Sequence, residues 1–415
     1  MLGSNQKTDR NRLWDALMEM AKIGPGIAGG NNRQTLTDDD RKARDLFATW
    51  CKAEGLTMTI DSMGNMFARR AGQDDSLPPV MMGSHLDTQP TGGKYDGVLG
   101  VLAGLEVMRT LNEMRVKTKH PIEVVNWTNE EGARFAPAMV SSGVFAGVYS
   151  IQEAYKITDD DGKKFGDELE RIGYKGSNEV GKRPLKAMFE LHIEQGPILE
   201  AEGIEVGVVA HGQGLRWIEF TLTGYESHTG TTPMPVRRNA LLGASRAVEL
   251  VNKIAFDFEP NAVATVGYLH VSPNSRNIIP GEVTFCVDLR NPSLDDLKDM
   301  ETAVVAGIEK IAEEIGLECT FEQVGAYDPV AFDKNCVAAV RNAAERLGYS
   351  HKDMVSGAGH DACHIARVAP TAMIFCPCVG GISHNEAEEI TPEWAAAGAD
   401  VLFHAVVETA GIVEE

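Results

Sequence analysis

The sequence lacks the features that mark a membrane or secreted protein. No apolar run among its 415 residues is long enough to cross a bilayer. The opening residues, MLGSNQKTDRNR, contain no apolar core of the kind found in a signal peptide. We therefore expect a cytoplasmic protein that does not associate with a membrane.

The cysteines do not form a pattern that suggests disulfides or a zinc knuckle. There are seven, an odd number, and they are scattered along a long chain. Cys376 and Cys378 are separated by one proline, which is not the usual spacing of zinc ligands. Seven scattered cysteines without a disulfide pattern are typical of a protein in a reducing compartment.

Positive charge is scarce relative to negative charge. The chain has 39 Lys and Arg against 60 Asp and Glu, a formal net charge of −21. This balance argues against nucleic acids and anionic membranes as partners, because both attract basic surfaces. It does not exclude a small anionic substrate, because a local arginine can bind one.

Two common catalytic motifs are absent from the sequence. It contains no G-x-x-x-x-G-K-[ST] phosphate-binding loop and no G-x-S-x-G nucleophile elbow. The search for chemistry therefore turns to clusters of histidines and carboxylates.

Such clusters follow apolar segments that predict buried strands. The predicted strands end near residues 82, 126, 191 and 375. Because open α/β sheets bind ligands at the carboxyl ends of their strands, we expect the polar residues that follow to converge. The segment SGAGHDA, before the last of these strands, is interpreted as a loop.

The pattern changes between about residues 214 and 327. The order there is β-α-β-β-α-β, with the first helix expected over residues 236–256. This is the split βαβ, ferredoxin-like arrangement, with both helices on one face of a sheet. The chain is also longer than one hydrophobic core usually spans. We therefore predict an α/β domain over residues 1–211 and 327–415, interrupted by an α+β domain over residues 212–326.

The stretch MMGSHLDTQPTGGKYDGVLG, residues 81–100, has the composition of a metal site. His85 and Asp87 follow the predicted strand at alternate positions, and the side chain of Asp87 can accept from the second ring nitrogen of His85. A glycine-rich turn leads to Asp96, whose two oxygens could bridge two metals. The alternative is a polar turn with a solvated aspartate and a core histidine.

Further candidate ligands follow the other predicted strands. Glu130 and Glu131 are adjacent, so one can bind a metal while the other acts as a general base. His192 and His384 lie in strand-end loops. A single histidine is weak evidence among the 11 of this chain, but five candidate ligands after buried strands are harder to dismiss.

Five motifs, HLDTQPTGGKYDG, TNEEGARF, HIEQGP, SHTGTTPM and ISHNEAEE, resemble in this order the hydantoinase/carbamoylase family of amidohydrolases. The family belongs to the superfamily of two-metal aminoacylases and exopeptidases, and the resemblance covers essentially the whole chain. It implies a mixed-sheet two-metal hydrolase domain with an inserted dimerisation domain, and hence a homodimer. It also implies two divalent ions per subunit, zinc first, with manganese, cobalt or nickel as alternatives.

By motif, the resemblance implies two ligand sets that share one bridging carboxylate: His85, Asp96 and His192 for one ion, and Asp96, Glu131 and His384 for the other. It gives Glu130 the role of general base.

The resemblance also implies substrate-binding residues in the inserted domain. His228, Asn277 and Arg290 match residues that contact substrate, and Gln195 and Gln213 are weaker candidates. Arg290 can bind a carboxylate with two parallel hydrogen bonds, and His228 can donate to a developing oxyanion. Thr229 departs from the family pattern, which usually has alanine there, and this puts the shape of the pocket in doubt.

The function implied is hydrolysis of the carbamoyl group of N-carbamoyl-L-amino acids or β-ureido acids. Allantoate is the close alternative, because it also carries a ureido group beside a carboxylate. A dipeptidase or aminoacylase on the same scaffold is a second alternative. A non-catalytic binding protein is a third, opposed by the presence of every ligand and of Glu130.

Overall fold

The computed structural model describes residues 5–413. The chain divides into two compact units, one formed by Met1–Ala210 with Phe332–Glu415 and the other by His211–Ala331. The second unit contains the whole of the domain expected over residues 212–326. Among the described residues, no helix is both long and apolar enough to span a bilayer.

The α-helices are distributed over both units. Their bounds, within residues 5–413, are α1 Arg10–Met20, α2 Asp38–Ala53, α3 Val98–Glu113, α4 Val140–Phe145, α5 Ile151–Ala154, α6 Phe165–Arg171, α7 Ile198–Glu202, α8 Ala240–Asp257, α9 Leu294–Ile315, α10 Lys334–Leu347, α11 Asp361–Ile365 and α12 Pro392–Ala410. The two short 3₁₀ helices are Met234–Val236 and Val379–Gly381.

The strands form one large sheet, one four-stranded sheet and one short ribbon. Their bounds in the same residues are β1 Thr57–Ile60, β2 Met66–Arg70, β3 Val80–His85, β4 Ile122–Trp127, β5 Ala187–Ile193, β6 Val206–Gly212, β7 Gly214–Thr223, β8 Ser227–His228, β9 Val263–Ser272, β10 Ile278–Ile279, β11 Glu282–Asn291, β12 Glu318–Tyr327, β13 Val330–Ala331, β14 His351–Ser356 and β15 Thr371–Cys376.

The large sheet has parallel strands at its centre. Its order is β1-β2-β4-β3-β5-β15-β6-β13, and β14 pairs with β6. The pairs β4–β3, β3–β5 and β5–β15 are parallel, whereas β2 and β6 run antiparallel to their neighbours β4 and β15. The prediction of an α/β fold with a mixed sheet is therefore confirmed.

Helices cover both faces of the parallel strands. On one face, α3 and α12 pack beside each other against β3, β5 and β15. Both helices are buried along nearly their whole length, which fits their apolar composition. On the other face, α4 and α11 help to form an apolar cluster around Trp127 and Phe145. The strands are thus buried on both faces, as parallel strands usually are.

The unit His211–Ala331 has its own hydrophobic core. Its sheet order is β12-β7-β11-β9, with every neighbouring pair antiparallel. Alternate residues of β7 and β11, such as Phe220 and Phe285, face α8 and α9 and are fully buried. Residues on the opposite face are more exposed.

Three local predictions are corrected. The helix expected over 236–256 is α8, which starts at Ala240 because the side chain of Asn239 accepts from the backbone N–H groups of Leu241 and Leu242. Strand β6, which pairs with β15, and strand β14, which pairs with β6, have no counterpart among the predicted strands, because neither shows a clear alternating pattern. The SGAGHDA segment is not wholly a loop, because α11 begins at Asp361.

Candidate metal centre and catalytic site

Four parallel strands bring the candidate residues to one edge of the large sheet. His85 is the last residue of β3, and His192 lies near the end of β5. Glu130 and Glu131 follow β4, and His384 lies in the loop after β15. Because these strands are parallel neighbours, their carboxyl ends point to the same edge.

Asp96 is held between two buried imidazoles. Its Oδ1 lies 3.0 Å from Nε2 of His192 and 3.5 Å from Nε2 of His85. Burial raises the pKa of Asp96, but the positive charges of His192 and His85 outweigh burial and hold the pKa well below its usual value. Asp96 is therefore an ionised carboxylate inside the protein.

Backbone carbonyls fix the orientation of both imidazoles. Nδ1 of His85 donates to the backbone carbonyl of Asp87 (2.9 Å), and Nδ1 of His192 donates to the carbonyl of Ile193 (2.9 Å). Because a carbonyl can only accept, each Nδ1 carries a proton, and Nε2 is the ring nitrogen turned toward Asp96.

The role expected for the carboxylate of Asp87 is corrected by this geometry. Its Oδ1 is 3.9 Å from Nδ1 of His85, beyond hydrogen-bond distance, while the carbonyl of the same residue accepts that proton. The carboxylate instead accepts from the backbone N–H groups of Glu130 and Glu131, both at 3.3 Å. Asp87 thus holds the loop after β4 against the loop after β3.

A second cluster shares Asp96 with the first. Nε2 of His384 lies 3.6 Å from Asp96 Oδ2 and 3.4 Å from Glu131 Oε2. Gln89 orients Glu131 through its backbone N–H (3.1 Å) and its side-chain amide (2.7 Å). The amide of Gln195 donates to Asp96 Oδ2 at 2.8 Å. Its own Oε1 makes no hydrogen bond within the described residues.

These residues have the geometry and the donor atoms of two adjoining metal sites. In each of the sets His85–Asp96–His192 and Asp96–Glu131–His384, one ligand atom per residue lies within 4.8 Å of the others. Imidazole nitrogens and carboxylate oxygens are the donors that zinc and related divalent ions accept. Nε2 of His85 is buried and has no hydrogen-bond partner within residues 5–413, as expected for a nitrogen that binds an ion.

Glu130 belongs to neither set but lies beside them. Its Oε2 is 3.3 Å from Nε2 of His85, and the residue is buried. Burial raises the pKa of Glu130 well above its usual value, and the carboxylates of Asp361 and Glu131 add to this increase, although His85 opposes it. A carboxyl group with a raised pKa suits a general base working near neutral pH.

Close backbone approach at Gly97 permits this packing. A Cβ on Gly97 would lie 2.3 Å from Cε1 of His85, and the residue has φ = +66°. Its backbone N–H donates to Nε2 of His192 at 3.2 Å. Glycine is therefore required at the turn that joins Asp96 to α3.

Sequence reasoning missed a second layer of buried residues. His360 packs edge-to-face on His192, with ring centroids 4.5 Å apart, and its Nε2 is 3.0 Å from Oγ of Ser356. Burial and the neighbouring His192 hold the pKa of His360 well below its usual value, so it is neutral. Glu190 accepts from Oγ of Ser84 at 2.6 Å. The adjacent His360 and Asp361 in the sequence SGAGHDA could have indicated this layer.

The substrate-binding candidates of the inserted unit occupy two places within that unit. His228 of β8 pairs with Ile278 of β10, next to Asn277. Nδ1 of His228 accepts from the backbone N–H of Gly230 at 3.0 Å, which leaves Nε2 as its proton-bearing nitrogen.

Arg290 and Gln213 are the other candidates in this unit. Arg290 lies on β11, and its guanidinium donates to the carboxylate of Asp288, with Nη2 2.9 Å from Oδ2. The amide of Gln213 donates to the carbonyl of Asn261 at 3.1 Å. Arg290 is thus presented as a preformed fork rather than as a freely moving side chain.

Comparison with known proteins shows the family of this chain. The model of Peptidase family M20/M25/M40 matches residues 81–408, which contain all five candidate ligands. The chain belongs to this family. The prediction of an amidohydrolase is confirmed, and so is the resemblance to hydantoinase/carbamoylase proteins.

Individual relatives cover nearly the whole chain. An N-carbamoyl-L-amino-acid amidohydrolase of Rhizobium meliloti is 62% identical over 412 residues, 99% of each chain. An allantoate amidohydrolase of Bacillus subtilis is 34% identical over 381 residues, 91% of this chain and 92% of its own. The crystal structure of a hydantoinase/carbamoylase family amidase from Burkholderia multivorans has a TM-score of 0.95 at 59% identity, covering 97% of this chain and 98% of that one.

The contact between His360 and His192 can be tested by two substitutions. We expect His360→Ala to weaken binding of a divalent ion by about 10- to 100-fold, because the ring of His192 loses its support. His360→Phe, which keeps an aromatic edge there, should restore most of the affinity. Equilibrium dialysis with zinc measures both. An equal loss in the two variants would show that the nitrogens of His360 matter, and not its packing.

Proposed function

We propose that this protein hydrolyses N-carbamoyl-L-amino acids or β-ureido acids. The reaction consumes one water and gives the amino acid, ammonia and carbon dioxide. The observation that carries the proposal is 62% identity, over 99% of both chains, to an enzyme named for this activity. The relative named for allantoate is more distant, at 34% identity, and allantoate remains the alternative substrate.

We assign the two His–carboxylate sets to two divalent ions per subunit, zinc first, with manganese, cobalt or nickel as alternatives. His85, Asp96 and His192 would hold one ion, and Asp96, Glu131 and His384 the other. Such ions, when bound, polarise the ureido carbonyl and make water more acidic. The support for this assignment is the sharing of Asp96 and the buried, unpartnered Nε2 of His85.

Glu130 would transfer the protons of the reaction. Its carboxylate takes a proton from the attacking water and later gives it to the leaving nitrogen. Its burial and its position 3.3 Å from His85 place it beside the ligands without making it part of either set. Burial raises the pKa of Glu130, which favours holding the proton between the two transfers.

Residues of the inserted unit would recognise the substrate. Arg290, already oriented by Asp288, would bind the substrate carboxylate through its two-pronged guanidinium. Nε2 of His228 would donate to the developing oxyanion, with Asn277 beside it. Gln195, whose Oε1 lacks a partner in the described part of the chain, and Gln213 would contribute further hydrogen bonds.

The inserted unit would also form a homodimer. Strands β9 and β12 are the edges of its sheet, and their outer hydrogen-bonding groups need cover. Apolar side chains are exposed on β9 at Val263, Tyr268 and Leu269, and on α8 at Leu242. A second copy of this surface would bury these groups, as a two-fold axis permits.

A panel of substrates tests the function. The metal-loaded enzyme should release ammonia fastest from N-carbamoyl-L-amino acids or β-ureidopropionate. Removal of metal by a chelator should abolish this activity, and zinc, manganese, cobalt or nickel should restore it. Faster release from allantoate would favour the alternative substrate, and cleavage of dipeptides without ammonia would indicate a peptidase. Full activity in metal-free enzyme would contradict the metal assignment.

Glu130→Gln tests the general base. It should lower kcat by about a hundredfold or more while metal content stays unchanged, because the amide cannot accept a proton from water. Glu393→Gln, a change to an exposed residue paired with Arg10, is the matched control and should leave kcat unchanged. Loss of metal from Glu130→Gln would mean that the roles of Glu130 and Glu131 are exchanged.

Two inactive variants, mixed under conditions that exchange subunits, test how Arg290 acts. If Arg290 of one subunit serves the site of its partner, a dimer of Glu130→Ala with Arg290→Ala has one site lacking both groups and one intact site. Activity should then return to about half that of wild type per mixed dimer. If Arg290 acts by closure within its own chain, each site lacks one group, and no activity returns despite confirmed exchange.

A further inference from the structure

The glycine-rich loop between α1 and α2 binds a carboxylate of the chain itself. The backbone N–H groups of Ala28 and Gly30 donate to Oε2 of Glu386, at 2.5 and 3.1 Å. The N–H of Ile27 donates to Oε1 of the same carboxylate at 3.3 Å. Consecutive N–H groups that converge in this way form a concave anion-binding loop. We call residues 26–30 the carboxylate-binding loop.

The tightness of this contact depends on glycine at position 30. A Cβ there would lie 2.2 Å from the carbonyl oxygen of Gly92 and 2.6 Å from Cα of Glu386. No side chain could be accommodated without movement of backbone on one side or the other. The loop therefore lies directly between two other segments and contacts both.

The same region of chain is joined to the segment that precedes Asp96. Asn31 and Gly92 exchange two backbone hydrogen bonds, at 2.9 and 3.0 Å. The backbone N–H of Arg33 donates to Oγ1 of Thr88 at 2.8 Å, and the N–H of Thr88 donates to the carbonyl of Arg33 at 3.0 Å. The carboxylate-binding loop is thus anchored on the loop that runs from His85 to Asp96.

On its other side, the carboxylate-binding loop holds the segment that carries His384, two residues before Glu386. His384 differs from His85 and His192, because none of the described residues accepts from its Nδ1, and its side chain is 53% exposed. Its backbone has φ = +52°, a left-handed conformation that is uncommon for residues other than glycine. The position of its imidazole therefore depends on how its backbone is held.

A second carboxylate holds the base of the same segment. Glu388 accepts from the backbone N–H groups of Tyr95 and Asp96, each at 3.1 Å. Glu388 is buried, whereas Glu386 is partly exposed to solvent. The segment should therefore stay folded when Glu386 is changed, and only the portion around His384 should loosen.

We propose that Glu386 is a positioning residue, and that its contact with the carboxylate-binding loop places His384 for the second ion. The inference rests on the metal assignment proposed above. Glu386 joins the backbone next to His384 to the carboxylate-binding loop, and that loop is joined in turn to the segment that runs from His85 to Asp96. Support of this kind for a ligand commonly contributes about 10- to 100-fold to metal affinity.

Metal binding provides the direct test. In the full-length protein, Glu386→Ala should lower the affinity for one of the two zinc ions by about 10- to 100-fold, measured by equilibrium dialysis with a competing chelator. The other ion should bind as in wild type, and the melting temperature should change little. Glu386→Gln keeps one oxygen acceptor and should lose less. Ile27→Ala is the matched control, because this fully exposed side chain lies in the same loop and its N–H is unchanged.

A double-mutant cycle identifies the affected ion. In a protein that already carries His384→Ala, the second site is lost, so adding Glu386→Ala should not lower zinc affinity further. In a protein that carries His192→Ala, adding Glu386→Ala should lower zinc affinity by its full amount. Equal affinities in wild type and Glu386→Ala, a loss shared by both ions, or full additivity with His384→Ala would overturn the inference. Wild-type protein that binds no zinc would instead contradict the metal assignment itself, so the two failures are distinguishable.

Discussion

The structure depends on holding one ionised carboxylate, Asp96, among imidazoles in the interior. An isolated buried carboxylate is strongly destabilising, so the surrounding nitrogens have to be close and correctly oriented. His192 and His85 are both within 3.5 Å of it, and each is fixed by a backbone carbonyl. This cluster explains why the turn after β3 is so tightly packed and why Gly97 leaves no room for a side chain.

The cluster also brings together several acids that would repel one another in the absence of cations. Burial raises the pKa of Glu131, and the charge of Asp96 raises it further. Burial also raises the pKa of Glu130, and the charges of Asp361 and Glu131 add to that increase. Divalent ions would neutralise this repulsion, so metal binding and local stability should be coupled. The same arrangement turns two adjacent glutamates toward different histidines. Glu131 faces His384, whereas Glu130 faces His85, and the proposed roles of ligand and general base follow this division.

Support for the candidate ligands comes from backbone groups and from distant parts of the chain. Backbone carbonyls orient two imidazoles, and backbone N–H groups donate hydrogen bonds to the carboxylates of Asp87, Glu386 and Glu388. Backbone groups on rigid elements have little conformational freedom left, so they position a side chain with small entropic cost. The segment before α2, more than 350 residues from Glu386 in sequence, is part of this support.

The sequence by itself determined the parallel strands at the centre of the large sheet, the inserted β-α-β-β-α-β pattern and the candidate ligand types, because apolar periodicity and strand-end motifs are local. It also indicated that His85, Asp96, Glu131, His192 and His384 would meet, since parallel strands share one edge. It did not indicate β6, β14 or α11. Only the tertiary structure decided that the carbonyl of Asp87, and not its carboxylate, orients His85. It alone brought His360 onto His192 and Glu386 into the carboxylate-binding loop. These contacts join residues far apart in the chain, and their geometry depends on backbone positions that no local pattern records.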